Sequence, residues 1–582
     1  VTRRLTNGDI AEQLARAADL LEIEGANAFR VRAYRNAAEV VAAYPEGLAS
    51  LVEQGSDLTA IKGIGKDLAA GIGALLRDGA LPQLAALEAR VPVGLLQVVQ
   101  VPGVGPKRAH TLWQQRQVSD LDDLERVARA GRIADLAGFG AKTEAKILAG
   151  IEALRRHTGR VRLGDADALV RPLVELVAAV PGVVRVEVAG SLRRGRDTIG
   201  DVDLLASASD AEPVMRALRE ADVVREVLGS GSTKTSVVLA GGLQVDLRVV
   251  ADESFGAALA YFTGSKAHNV AMRQRAIERG LKLSEYGLSR DGAEAPIAAR
   301  HEADIYAALD LAWVPPELRE DRGELDAAAA GELPTLVSLD DIRGDLHMHT
   351  TWSDGADEPS TMLATAHERG YDYLAITDHS QALRMTGGLD AAKLARQWEA
   401  LDDLEAARPD PAAAPTLLRG LEVDILQDGA LDLDEEWLER LDIVIAAVHS
   451  RFDLPQAEQT KRIVRALEHP QVNVLAHPTG RLLGRRDGYD VDLDAVFEAA
   501  AACGVAIECN ASPYRLDVND VQLMRAVRAG CSVVINTDAH ARAGMDDMRF
   551  GVITARRAWL EPRHVVNTWS LERVRAFLAR SR

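Results

Sequence analysis

Between residues 344 and 540, nine imidazoles and carboxylates fall at the ends of short apolar runs. His347 and His349 alternate within GDLHMHTTWSDG, so both side chains leave one strand end in the same direction, and Asp354 follows in the loop. His379 closes AITDH, Glu422 closes RGLE, His449 closes IAAVH, His477 closes VLAH, and Asp538 and His540 lie in INTDAH. Nitrogen and oxygen donors without thiolate suit zinc, manganese or iron, and this many donors suffice for two or three ions. A bridged set of that kind activates water near neutral pH. An isolated histidine is usually a surface residue or a satisfied core residue. His367, His469 and His564, in helical stretches or away from strand ends, are read in that way.

A second constellation is purely carboxylic. Residues 189–205 read AGSLRRGRDTIGDVDLL. Asp201 and Asp203 are two apart on a predicted strand, which puts both on one face. Asp246 lies in a second apolar strand, Gln244-Val245-Asp246-Leu247. Three acids from two strands can hold two divalent cations, which align an attacking and a leaving oxygen for in-line phosphoryl transfer. Alone, Asp201 and Asp203 would also fit the polar face of an edge strand. The Gly190-Ser191 turn, with Arg193 and Arg194 directly after it, supplies a triphosphate site and favours the metal reading.

Three Gly-apolar-Gly turns precede both constellations: Gly63-Ile64-Gly65-Lys66, Gly103-Val104-Gly105-Pro106-Lys107, and Gly138-Phe139-Gly140-Ala141-Lys142. Glycine permits positive φ and close backbone approach. Free N–H groups at the following helix start can hold a phosphate, with the lysine assisting. One such turn would be a structural turn. Three together point to helix-hairpin-helix grip on a nucleic-acid backbone, independent of base sequence.

The elements that must position these groups change along the chain. Residues 1–150 read as all helix, with Ile10, Leu14, Ala17 and Leu21 at helical spacing. Between 160 and 250, the β-branched runs Val183–Val188, Val202–Leu205, Val237–Leu239 and Val245–Val250 alternate with helices. Residues 254–316 mix helix and turn, and Pro315–Pro334, with paired prolines, acids and an alanine run, reads as a linker. From residue 340 strand and helix alternate in the pattern of a parallel βα barrel. The strand C-termini of such a barrel converge on one face, where the nine donors would meet.

A chain of 582 residues needs several cores. Its net charge of −19 is uneven: 18 Lys+Arg against 18 Asp+Glu in 1–150, 21 against 23 in 151–316, and 29 against 46 in 317–582. The acidity therefore accompanies nine of the 13 histidines and suits cations, while local basic groups must carry any DNA contact in the first half. No run reaches the ~18 apolar residues of a membrane span. Cys503, Cys509 and Cys531 form no disulfide pattern; they are read as small core residues in a reducing, cytoplasmic compartment.

On these residues, 1–316 resembles the family X DNA polymerases, the class of DNA polymerase beta. The resemblance implies that Asp201, Asp203 and Asp246 hold the catalytic metals, with Asp246 as the base toward the primer 3′-hydroxyl. It implies triphosphate contacts from Ser191, Arg194 and Gly200, and a turn, Tyr261-Phe262-Thr263-Gly264-Ser265, against the incoming sugar and base. Asn269 and Arg273 match residues that contact the nucleotide and the template minor groove. Lys266 stands where the animal enzyme has an acid, and an added cation there would strengthen nucleotide binding. Gly71 stands where the animal enzyme has its Schiff-base lysine, with Lys62 and Lys66 near but not equivalent, so lyase activity by that route is not expected.

Residues 343–575, with the motifs HxH, SDG, TDH, GxE, HS, HP and DxH, look like the PHP (polymerase and histidinol phosphatase) family. That resemblance implies a distorted seven-stranded βα barrel with up to three metals. One would be held by His347, His349, Glu422 and Asp538, a second by Glu422, His449 and His477, and a third by Asp354, His379 and His540. PHP domains fused to family X polymerases act as manganese-stimulated 3′→5′ exonucleases, and some incise at abasic sites.

The expected chain is multidomain α/β: a helical DNA-binding domain (1–82), a helix-hairpin-helix fingers-like domain (83–158), a nucleotidyltransferase α+β palm (159–253), a thumb-like domain (254–316), a linker (317–340) and a distorted (β/α)7 PHP barrel (341–582). The expected activity is gap-filling DNA synthesis in base excision repair on gapped or nicked DNA with dNTPs, by a cytoplasmic monomer with no membrane partner. Mg2+ or Mn2+ would serve the palm, and Zn2+ and/or Mn2+ the barrel. Two other readings stay open: a barrel that cleaves phosphomonoesters, such as histidinol phosphate or a DNA 3′-phosphate, and a DNA-bridging scaffold built on the three hairpins. The intact acid triads speak against the scaffold.

Overall fold

Ile10, Leu14, Ala17 and Leu21 line one buried stripe of the helix Asn7–Glu24, which packs on helix Ala28–Ala43. The computed structural model describes residues 7–44, 48–53, 56–61, 63–79, 81–101, 103–136, 138–157, 160–290, 295–383, 386–407 and 415–579. Lys62, Pro102 and Ala137 of the three turns lie outside them. The chain forms two compact units, 1–158 and 159–582.

The first unit is helical with one core. Its hairpins share one geometry. The first glycine takes positive φ (Gly63 +104°, Gly103 +92°, Gly138 +84°). The apolar residue between the glycines donates its N–H back across the turn: Ile64 to the Ile61 carbonyl at 3.0 Å, Val104 to Val101 at 2.9 Å, and Phe139 to Leu136 at 3.0 Å. Gly65 and Gly105 then cap the helices Lys66–Asp78 and Pro106–Arg116, and Gly140 leads into Ala141–His157.

The second unit begins with a five-stranded palm sheet: β1 (Val183–Val188), β2 (Asp201–Ala208), β3 (Val224–Ser230), β4 (Lys234–Leu239) and β5 (Gln244–Val250). Their order is β1-β2-β5-β4-β3, with only the β2–β5 pair parallel. Val202, Leu204 and Ala206 share a core with Val245, Leu247 and Val249 and with the helix Leu163–Ala178. Strand alternation therefore turns Asp201, Asp203 and Asp246 to the opposite face. β3 has no counterpart among the expected strands. It is an exposed edge whose residues show no apolar alternation.

Seven parallel strands build the barrel: β6 (Gly344–Asp345), β7 (Tyr373–Ile376), β8 (Thr416–Asp424), β9 (Ile443–Ala447), β10 (Val474–Leu475), β11 (Ala506–Asn510) and β12 (Val533–Asn536). They pair in sequence order. The ends of the first and last strands meet through Asp538 N–H to the His347 carbonyl (3.0 Å) and His349 N–H to the Ala539 carbonyl (2.9 Å).

The segment expected to be a linker is packed. It holds a helix, Glu324–Ala330, between short 3-10 turns at Pro316–Leu318 and Leu339–Asp341. Arg319 and Glu324 are fully buried. Polar residues suggest a solvated segment, but these are satisfied internally. Arg319 pairs with Glu302 at 2.5 Å and donates to the Val314 carbonyl, while Glu324 accepts from His268 and from two backbone N–H groups. Palm and barrel also share a core, because Leu516 and Phe550 of the barrel sit in the cluster built around Leu163, Leu173 and Leu247. Cys509 and Cys531 are buried, but Cys503 is exposed, at the last turn of a helix that stops at Gly504. Among the described residues no helix is long and apolar enough to cross a membrane.

Candidate functional site

All nine barrel donors gather at the C-terminal ends of β6–β12, because successive parallel strands end side by side. Glu422, fully buried at the end of β8, is the hub. Its carboxylate lies 2.8 Å from His379 Nδ1, 2.8 Å from His477 Nε2, 3.4 Å from His449 Nε2 and 3.6 Å from both His347 Nε2 and His349 Nε2. His349 Nε2 is 3.1 Å from Asp538. Asp354 lies 3.6 Å from His379 and 3.5 Å from His540. Three groups have donor atoms close enough to share an ion: His349, Asp354, His379 and His540; His347, His349 and Glu422; and His379, Glu422 and His449. The last places His379 where His477 was expected. His477 and Asp538 hold positive φ, +27° and +54°, a backbone strain typical of functional positions.

Electrostatics and unmet hydrogen bonds fit cations here. His349 Nδ1 and His477 Nδ1 are buried without a hydrogen-bond partner. Burial opposes charge on Glu422, but the surrounding His449, His379 and His347 hold its carboxyl well below the usual range. Burial likewise opposes protonation of His379 and His449, yet the carboxylates beside them raise these to about 10 and about 9. His349 is pushed down to about 3 by burial and by repulsion from His379 and His540. Metal binding would replace those protons.

Sequence reasoning missed the groups that orient the donors. Glu508, at the end of β11, accepts from His347 Nδ1 at 2.7 Å, and Asp424 faces His449 Nδ1 at 2.5 Å. Such carboxylates fix the tautomer of a metal-binding imidazole. The Glu508 signal was its place at a strand end, as for Glu422. Arg515, whose Nε lies 3.4 Å from Asp538, carried no sequence signal.

On the palm, Asp203 and Asp246 are register partners on β2 and β5. Burial and the charges of Asp201 and Asp246 raise Asp203 to about 6, a crowding that cations would relieve. Burial works against charge on Asp246, but hydrogen bonds from Lys234 (2.6 Å), Gln244 (3.0 Å) and Ser236 outweigh it and lower its pKa. Gly190 has φ +64°, and a Cβ there would strike Asp203 Oδ2 at 2.5 Å. Ser191 and Gly200 are partly buried nearby in the chain, with Arg160 Nη1 3.0 Å from where a Gly200 side chain would start. Arg194 is engaged by Glu320 at 3.0 Å and by the Thr263 carbonyl at 2.8 Å.

Tyr261 and Phe262 end the helix Phe255–Thr263, and Gly264-Ser265 turn into the helix Lys266–Glu278. Asn269 pins this turn by donating to the carbonyls of Tyr261 (2.7 Å) and Gly264 (3.1 Å), and Arg273 donates to the Asn269 carbonyl. Lys266 is exposed. The Arg248 guanidinium lies 4.4 Å over the Phe262 ring. In the first unit Lys66 and Lys107 are exposed, and nothing lies within 4 Å of a Cβ placed on Gly65, Gly105, Gly138 or Gly140. Arg108 donates to the carbonyls of both Gly103 (2.7 Å) and Gly138 (2.9 Å), tying the second hairpin to the third.

A nucleotidyltransferase palm with a thumb, hairpins ahead of it and an imidazole-rich barrel behind it define the class: the chain belongs to the family X DNA polymerases that carry a C-terminal PHP domain. It is 39% identical over 575 residues to the DNA polymerase/3′-5′ exonuclease PolX of Bacillus subtilis (strain 168), covering 98% of this chain and 99% of that protein. Residues 5–81 match the helix-hairpin-helix domain family, 95–153 the SAM-like helix-hairpin-helix tandem, 258–320 the DNA polymerase beta thumb and 345–512 the PHP domain. Shorter matches include a probable phosphatase of Shewanella sediminis, 32% identical over 34% of this chain and 77% of that protein. Another is a probable phosphatase of Syntrophotalea carbinolica, 27% identical over 38% and 90%.

Proposed function

We propose that this DNA polymerase and 3′-5′ exonuclease fills short gaps in damaged DNA during base excision repair, and that its barrel trims the 3′ end the palm extends. The observation carrying this reading is the presence, within one compact unit, of two separate donor sets: three acids on one palm face and nine donors at one barrel end. Mg2+ or Mn2+ held by Asp201, Asp203 and Asp246 would stabilise the charge of in-line phosphoryl transfer. Asp246, kept ionised by Lys234 and Gln244, is suited to accept the primer 3′-hydroxyl proton. Asn269 holds the Gly264 turn against which the incoming dNTP would lie, with Ser191, Arg194, Gly200, Lys266 and Arg273 around it. Backbone N–H groups at Gly65, Gly105 and Gly140, with Lys66 and Lys107, are suited to DNA phosphates.

Zn2+ or Mn2+, in up to three sites, would polarise the scissile phosphate in the barrel. Glu508 and Asp424 hold the imidazoles of His347 and His449 in the orientation that binds them. Purified protein with gapped DNA, dNTPs and Mn2+ should extend the primer. Asp201→Ala should stop extension and spare digestion. His540→Ala, at a half-exposed donor, should do the reverse; equal loss of both activities in both variants overturns the two-site assignment.

The match to probable phosphatases favours a second reading, in which the barrel removes a phosphomonoester. Inorganic phosphate released from a DNA 3′-phosphate, with no nucleotide released from a 3′-hydroxyl end, would select it.

A further inference from the structure

The barrel loop after β11, residues 511–518, faces two ways. Toward the palm, Leu516 is fully buried in the palm core, Pro513 presses on Gly164, and the Arg162 guanidinium lies 3.9 Å over the Tyr514 ring. Toward the barrel, the next residue back, Arg515, reaches Asp538 at 3.4 Å. Leu516 holds φ +43° without being glycine. That conformation costs roughly 1–3 kcal/mol and persists only where surrounding contacts over-determine it.

Arg481 supplies those contacts. Its Nε donates to the Arg515 carbonyl at 2.8 Å and its Nη2 to the Leu516 carbonyl. The same guanidinium pairs with palm Asp197 at 2.9 Å, and its side chain is 14% exposed. A planar fork of five donors can serve two carbonyls and a carboxylate at once in one fixed geometry. Asp197 closes the palm loop that opens with Gly190-Ser191 and carries Arg194. Its own carbonyl accepts the Leu163 N–H at 3.0 Å, so its place is set by the palm.

We infer that Arg481, oriented by Asp197, is a positioning residue for the barrel's metal centre: it fixes the backbone from which Arg515 reaches Asp538, so the palm completes the hydrolytic site. This rests on the hydrolase reading of the barrel. The loop that leads to the polymerase acids is thereby in direct ionic contact with the residue that shapes the second site.

The test uses the full chain as wild type, Arg481→Ala, the isosteric Asp197→Asn and the double variant. Amide hydrogen exchange is read without added metal, and digestion of a 3′ end and primer extension are read with Mn2+. Exchange in 512–518 should rise by roughly tenfold or more in both single variants while β9 stays protected. Digestion by Arg481→Ala should fall by roughly 10–100-fold, the usual cost of losing a group that orients metal ligands. Extension should stay within about twofold. The double variant should digest no more slowly than Arg481→Ala, because Asp197 acts through Arg481. Unchanged exchange in 512–518, additive losses in the double variant, or extension falling in step with digestion would each overturn the inference. If the wild type digests no 3′ end, the hydrolase reading fails, and the exchange measurement alone decides the positioning.

Discussion

Gly195→Ala tests whether the barrel is seated on the palm loop 190–197. Gly195 has φ +66°, and a Cβ there would lie 2.0 Å from Ile553 Cγ2 on the barrel helix Met548–Arg557. The left-handed backbone alone costs an L-residue roughly 1–2 kcal/mol. The overlap forces Ile553 from its rotamer or the helix from its seat, and overpacking of that kind adds about 1–3 kcal/mol. The helix has little room to yield. Its Arg557 is buried, donates to the Arg194 carbonyl at 2.6 Å and pairs with Glu320 at 3.1 Å and Asp520 at 2.7 Å. The expected loss is therefore about 2–5 kcal/mol. Gly182→Ala is the control: φ is +90° but nothing lies within 4 Å of the new Cβ, so only the backbone cost applies. Urea unfolding of the full chain, followed by circular dichroism, gives the comparison. Adding Ile553→Ala should restore roughly the steric part. The seating argument fails if Gly195→Ala costs no more than Gly182→Ala, or if Ile553→Ala gives no relief.

Glu302 is buried between Arg193 and Arg319, and although burial alone would raise its pKa, the two arginines hold it at about 2 against an ordinary 4.5. Because the folded value is the lower one, its contribution is complete above the unfolded pKa and is lost as pH falls toward the folded one. About 3 kcal/mol should disappear across that acid window, and an acid titration of Glu302→Gln should lack it. Glu508→Gln should weaken barrel metal affinity roughly 10–100-fold in chelator competition while leaving primer extension intact. Lys107→Ala should weaken DNA binding alike on all sequences and reduce the slope of log K against log salt by about 1.

The gathering of the barrel imidazoles and carboxylates was legible because all but the loop residue Asp354 sit at strand ends, and strand ends meet wherever parallel strands pair in order. The palm acids were legible because period two puts 201 and 203 together and apolar flanks bury 202 and 204. Glu508 was not, since a buried glutamate at a strand end has the same signature whether it would hold a metal or orients His347. β3 escaped because an exposed edge strand needs no apolar alternation. The acids of 317–340, Glu324 among them, misled the linker reading, because a charge satisfied by a distant partner looks the same in sequence as a solvated one.

The palm–barrel contact has a consequence for where the chain can be cut. A linker reading permits truncation near residue 340 without harm to the palm. In the structure that cut removes Leu516 and Phe550, both buried in the palm core, and Arg481, the partner of Asp197. Full burial of a large apolar side chain contributes about 1.5–3 kcal/mol, so the two together contribute roughly 3–6 kcal/mol. It also exposes the face of helix Leu163–Ala178 that carries Leu163 and Gly164, directly beside the strand pair leading into Asp201 and Asp203. Residues 1–340 alone should unfold at lower urea than the palm transition of the full chain and extend primers more weakly. A truncated protein with the same midpoint and the same extension rate would mean that the shared core carries no stability, and that the barrel is tethered after all.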